Sequence, residues 1–387
     1  MEDAVEERFV NSKSGNGLFA KRNFQAGEVI FEEAPLVVTQ FVWNEDCNYR
    51  SCEKCLRPLE TAQENARRLT GNRALNLPLP ELDDIKPAEH RNCGNCGASY
   101  CSAACLDSAY RSYHKRLCHV NQSAHPLDVI RETWKQSHHP PESFNVMAIA
   151  KLAAMFLSAE SLEDKKCITG ALARFQCETA NANEGIVHRM LGPNFEVRLE
   201  VLRPLFAAAF PEESVTGWWT KDGFLALFAV FARNAQGVGV SSYGTWAYNV
   251  RNSPNCTQQT LDWLDGIDKA IEEKTGLDFM DNEGSGLFVR QRASNHSCDP
   301  NTEVKFRLNN ATLSLIARRP IHAGEEVFIT YLDNCALERS RHSRQKELRS
   351  YYLFNCSCQK CQQQADQADE TSEDEDDWES DDPMEEE

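Results

Sequence analysis

The sequence predicts an α+β protein in which small antiparallel sheets, built from both ends of the chain, are interrupted by a cysteine-rich insert and then by a helical one. Three observations carry that expectation. The opening stretch SGNGLFAKRNFQAGEVIFEEAPLVVTQF reads as short strands joined by glycine turns. Its QAGEVIF, residues 25–31, is echoed by HAGEEVFI at residues 322–329, so two similar turn-strand units sit far apart in one small-sheet domain. Between them, MAIAKLAAMFL, EVRLEVLRPLFAAAF and FLALFAVFA are apolar at helical spacing.

In chain order, residues 1–50 supply the first strands and residues 51–120 a cysteine-rich module. Residues 121–232 form the helical insert, whose apolar faces are core. Residues 233–338 return to the small-sheet domain, with a hairpin over 302–319, TEVKFRLNNATLSLIARR, turning at Asn309-Asn310. Residues 339–365 end in three cysteines. Residues 366–387 hold 14 acidic residues and no Lys or Arg, too little apolar surface to fold, and read as a solubilising tail.

The net charge of −18 therefore belongs mostly to the tail, and the remaining body is nearly neutral. A sequence-independent grip on DNA needs a basic surface, and sequence-specific DNA binding is not expected here either. No stretch reaches ~18 consecutive apolar residues, which excludes a membrane-spanning helix. The acidic start, MEDAVEERFV, lacks the apolar core of a signal peptide. The expected location is therefore the cytosol or the nucleus, where thiols stay reduced. Its 16 cysteines then read as metal ligands before disulfides.

Cys52-x2-Cys55 is followed by Cys93-x2-Cys96, Cys101, Cys105, His114 and Cys118. Seven cysteines and one histidine suffice for two closed tetrahedral zinc sites. Further on, Cys356-x-Cys358-x2-Cys361 supplies three ligands where zinc takes four. Cys298, in the run RQRASNHSCDPNTEV, is the candidate fourth, which would pin the C-terminal segment over the Asn295-His296 turn. Three zinc ions are expected in all.

The histidine stands seventh of eight, not in the middle as in RING-type modules, and this order resembles a MYND zinc finger. The resemblance implies interleaved sites: Cys52, Cys55, Cys101 and Cys105 on one ion, Cys93, Cys96, His114 and Cys118 on the other. The 37-residue spacer Leu56–Asn92 is longer than the MYND pattern, and its RLTGNRALNLPLPELDD is expected as a loop or short helix. NHSCDPN, the early Gly-x-Gly turn, AGEEVFITYLD and the trailing Cys-x-Cys-x2-Cys together resemble a SET domain with its post-SET zinc segment. With a MYND finger inserted after the first strands, the chain is similar to the SET-and-MYND-domain lysine methyltransferases over residues 8–362. It departs from most of them where the acidic tail takes the place of a C-terminal helical repeat domain.

That resemblance implies S-adenosylmethionine as methyl donor and a protein lysine as acceptor. It assigns catalysis to Tyr331 of ITYLD, whose phenol oxygen would orient the transferring methyl. It assigns the cofactor to Gly15, Asn16 and Gly17, to Asn295 and His296, and to Tyr352 and Phe354, with Ala235-Gln236 near it. His296 is expected to bind cofactor, not to act as a base. Basic residues that the family carries at Ser14 and Asn16 are replaced in role by Lys13. Two readings remain. One is an active lysine methyltransferase, working as a monomer on a histone tail or another basic protein such as a ribosomal protein. The other is a catalytically silent adaptor whose zinc finger binds peptide partners.

Overall fold

The structure, a computed structural model, describes residues 4–120, 125–137, 143–181, 185, 195–276 and 281–367. Most of the acidic tail therefore lies outside the described residues. Along the chain come β1 (Val5–Asn11), β2 (Gly15–Ala20), β3 (Val29–Glu33) and β4 (Val37–Gln40), then β5 (Arg91–Asn92) and β6 (Ser99–Tyr100) among the cysteines. After the helical block follow β7 (Gln236–Val240), β8 (Asn282–Leu287), β9 (Asn295–His296), β10 (Thr302–Lys305), β11 (Leu313–Ala317) and β12 (Phe328–Ile329).

The two ends of the chain share sheets, as expected. β3 pairs with β11, Phe31 opposite Leu315, and β4 pairs with β8, Val38 opposite Gly286. β8 is the central strand of its sheet, with β7 on the other side. Every pairing is antiparallel except β9 with β12, where Asn295 lies beside Phe328 and His296 beside Ile329. The Ala-Gly-Glu echo is a structural repeat. Gly27 and Gly324 take φ of 83° and 88°, a left-handed conformation natural to glycine. Glu28 caps Gln25 N–H at 2.9 Å and Glu325 caps His322 N–H at 3.0 Å in the same way. The 302–319 stretch is a hairpin of β10 and β11, with Asn309 at φ 48° in its turn.

The Met147–Ser158 helix is buried almost all round, which its run of Ala, Leu, Ile and Phe dictates. Lys151 is the exception. Its ammonium donates to Val38 O at 2.9 Å and Glu53 O at 2.8 Å, and lies 4.7 Å from the Tyr113 ring. A buried cation is tolerable only when partnered in this way, and here it ties the helical block to β4 and to the cysteine module. Tyr100, Ala109 and Tyr113 of that module belong to the same core as Trp134, Phe144 and Phe228.

The spacer after Cys55 forms a helix, Ala62–Thr70, started by a Thr61/Glu64 capping box and stopped by Gly71 at φ 69°. It packs on two helices, Ser242–Arg251 and Gln258–Thr275, through Leu69, Trp246, Leu264 and Ile271. Those helices fall within residues 233–338, where the sequence reading named a hairpin but no helix. The reading missed them because the longer one buries only Leu264 and Ile271, too sparse an apolar stripe to signal.

Candidate functional site

Three quartets of soft donors close in the fold: Cys52, Cys55, Cys101 and Cys105; Cys93, Cys96, His114 and Cys118; and Cys298, Cys356, Cys358 and Cys361. Within each, every ligand atom lies within 4.8 Å of the others. Sulfur–sulfur separations of 3.5 Å for Cys101–Cys105, 3.5 Å for Cys93–Cys118 and 3.6 Å for Cys298–Cys361 approach the tetrahedral edge of about 3.8 Å that zinc–sulfur bonds of ~2.3 Å require. The electrostatics agree. Hydrogen bonding to Cys101 pushes the Cys55 thiol up and the Cys105 thiol down. Hydrogen bonding to Cys298 does the same to Cys356 and Cys358. Crowded thiols cannot all ionise unless a cation neutralises them, so the donor set fits a divalent soft-ligand metal. A separate group, His119, His125 and Asp128, holds a His119–Asp128 contact of 2.9 Å, with His119 Nδ1 also 2.8 Å from Leu117 O.

The third quartet fixes one wall of a cleft of about 2040 Å³. Parallel pairing with β12 aligns β9, so that Asn295 and His296 face the segment leading to Tyr331. Asn295 Nδ2 donates to Asn16 O at 3.2 Å and to Glu326 Oε1 at 2.7 Å, joining the glycine hairpin to the Asn-His strand. His296 Nδ1 accepts from Tyr331 N–H at 2.9 Å, which leaves the ring proton on Nε2, 3.3 Å from Cys298 Sγ. Burial holds its pKa down to about 4. A neutral ring with both nitrogens engaged is poorly placed to be a base.

The Tyr331 hydroxyl donates to Ser294 O at 3.0 Å. Burial first, then the neighbouring Tyr352, push the phenol well above its ordinary range, so it stays protonated. The Tyr331 ring packs against Tyr352 at 5.0 Å and edge-on to Phe354 at 6.2 Å, and His296 lies 6.1 Å from Phe354. Tyr352 OH reaches Tyr331 O at 3.2 Å, and Arg233 holds Tyr352 O at 2.9 Å from the helical insert. Tyr331, Asn295, His296, Tyr352, Phe354, Gly15 and Asn16 all line the cleft, as do Lys13, Ala235 and Gln236.

Gly17 does not line it. A Cβ there would stand 2.4 Å from Glu326 Oε1 and 2.8 Å from Val10 Cγ2, so its missing side chain admits Glu326. Gly15 needs to be glycine for its backbone, at φ 65°. Sequence reasoning also missed Glu7. Its carboxylate takes Arg292 at 2.8 Å and Asn16 Nδ2 at 2.7 Å, and pairs with Arg174. Burial alone would raise its pKa, but the bonds from Arg292, Asn16 and Arg174 bring it down to about 2. Neither Glu7 nor Glu326 carried a signal: the echo pairs Glu28 with Glu325, and Glu326 stands where the first copy has Val29.

A family model for the SET domain matches residues 15–332. Together with this cleft, it makes the chain a protein-lysine N-methyltransferase of the SET type. Over 364 residues it is 45% identical to the protein-lysine N-trimethyltransferase SMYD5 of Danio rerio, covering 92% of this chain and 87% of that protein. The Homo sapiens protein of the same name is 45% identical over 363 residues, with 92% and 86% covered. The histone-lysine N-methyltransferase SMYD3 of Homo sapiens is 26% identical over 361 residues, 92% of this chain and 61% of that protein. The chain belongs to the SET and MYND-domain (SMYD) family of lysine methyltransferases, on its SMYD5 side.

Proposed function

We propose that this protein transfers methyl groups from S-adenosylmethionine to a lysine of a basic protein, a histone tail or a ribosomal protein, and carries the lysine to the trimethyl state. The observation that carries this reading is the Tyr331 hydroxyl, fixed by Ser294 O beside Asn295 and the glycine hairpin. Bound there, S-adenosylmethionine supplies an electrophilic methyl group on a sulfonium. Asn16, Asn295 and the His296 backbone are the groups to hold it, with Tyr352 and Phe354 offering aromatic faces. Because Tyr331 spends its proton on Ser294 O, its oxygen lone pairs are left to face a positive methyl. The narrow aromatic wall orients the attacking amine and excludes water.

A basic substrate is supported by the cleft's carboxylates. Glu283, Asp333 and Glu326 line the cleft, and an arriving lysine would meet them there. Three zinc ions in the three quartets, a monomeric state and residence in the cytoplasm and nucleus complete the proposal. The two MYND-like quartets also leave the finger as a surface for peptide partners.

The test is mass spectrometry of histone and ribosomal-protein fractions incubated with S-adenosylmethionine and either wild type or Tyr331→Phe. Lysine mass steps with wild type, and at least ~100-fold fewer with the variant, are expected. Cofactor binding with equal transfer by both proteins would remove Tyr331 from the chemistry. Neither binding nor transfer would favour the silent adaptor.

A further inference from the structure

The wall of the cleft beside Tyr331 carries an acceptor that the methyl-transfer reading has not used. Glu33, at the end of β3, accepts the Arg290 and Gln291 N–H groups at 2.7 and 2.9 Å. It thereby anchors the short turn Gln291–Ala293. Gln291 is only 4% exposed yet lines the cleft. Its Nε2 donates to Gln236 Oε1 at 3.2 Å, and Gln236 Nε2 donates in turn to Gly237 O at 3.2 Å. This chain of donors fixes which end of each amide is oxygen. Gln291 Oε1 is then left buried with no partner among the described residues, and the fully buried Ser294 Oγ shares that condition. One turn links these groups to the reactive hydroxyl: Ser294 N–H donates to Gln291 O at 2.8 Å, and Ser294 O accepts from Tyr331.

Buried acceptors rarely stay empty, because an unmade bond costs more than a made one gains. In a lysine methyltransferase cleft the arriving donor is the substrate amine. We propose that Gln291 Oε1, held by Gln236, accepts an N–H of the substrate ε-amine and so sets its rotation, with the lone pair aimed at the methyl carbon. The inference rests on the cleft being the methyl-transfer site. In each transfer the ammonium first gives a proton to solvent. The nitrogen lone pair then forms the N–C bond, and the S–C electron pair leaves with sulfur.

The stoichiometry of N–H groups makes the role selective. A neutral lysine amine has two hydrogens, the monomethyl amine one and the dimethyl amine none. Gln291 therefore acts in the first two transfers and has nothing to accept in the third. It is a positioning residue for early methylation, not a general determinant of activity.

The test uses Gln291→Met, which keeps length and volume and removes the acceptor. The probe is the peptide around the lysine that wild type modifies, synthesised with that lysine either unmethylated or dimethylated. We expect kcat/KM on the unmethylated peptide to fall about five- to tenfold, with the dimethylated peptide within about twofold of wild type. Equal losses on both peptides would mean Gln291 only packs the wall, and no loss on either would remove it from substrate binding. Both results overturn the inference. If wild type modifies no lysine in the histone and ribosomal-protein fractions, there is no such peptide to make, and it is the reading of the cleft itself that falls.

Discussion

Gly17→Ala is the sharpest probe of how the cofactor wall is built. The added methyl would stand 2.4 Å from Glu326 Oε1 and 2.8 Å from Val10 Cγ2. Ordinary contacts begin near ~3.5 Å, so each neighbour must retreat by roughly 1 Å. Glu326 gives way more cheaply, being the end of a flexible side chain, but it moves away from Asn295 Nδ2, now 2.7 Å distant. A hydrogen bond to a charged group contributes about 1.5–3 kcal/mol. Asn295 keeps Asn16 O at 3.2 Å, so the lower end of that range applies. About 1.5 kcal/mol is roughly tenfold in affinity for S-adenosylmethionine. Overpacking against Val10 adds a loss of ~1–3 kcal/mol in stability. Titration calorimetry with S-adenosylmethionine measures the first and thermal melting the second. A folded variant whose Kd stays within twofold of wild type would refute the chain of contacts from Gly17 through Glu326 to Asn295.

Two further outcomes follow from the same geometry. Glu7, lowered to about 2 against an ordinary 4.5, stabilises the fold above pH 4.5 and loses that contribution as pH falls toward about 2. Glu7→Gln should therefore melt lower than wild type at pH 7, by roughly 1–2 kcal/mol after screening, with the gap narrowing below pH 4.5 and closing only as pH falls to about 2; parallel curves would contradict the assignment. Cys298→Ser should reduce bound zinc from three to two per chain by elemental analysis and abolish methyl transfer, leaving the two MYND-like quartets loaded. Three retained ions would show that Cys298 is not a ligand.

Local chemistry made much of this site legible in advance. Cysteine count and spacing gave the number of sites, the resemblance to a MYND finger gave the interleaved pairing of the first two quartets, and Cys298 was found by the want of a fourth. The helical block declared itself through Met147–Ser158, and the Asn309 hairpin through its alternation. What stayed hidden joins distant residues without a local pattern. Glu7 meets Arg292 285 positions away, and Gln291 meets Gln236 across 55. No periodicity announces either pair. Nor could the order of residues show that Gly17 makes room for a carboxylate, since a small residue is silent about what it admits.

The third quartet also sets a timetable. Cys298 waits for Cys356, Cys358 and Cys361, and Tyr352 and Phe354 stand just before them. During synthesis from the N-terminus, the strands and the two quartets of the cysteine module can be complete while this wall does not yet exist. The reaction chamber is thus the last part of the folded body to be finished, closed only once the four thiols of that quartet have met. A chain stalled or cut before residue 361 would carry an assembled finger on an open, incompetent cleft, able to occupy partners but not to modify them.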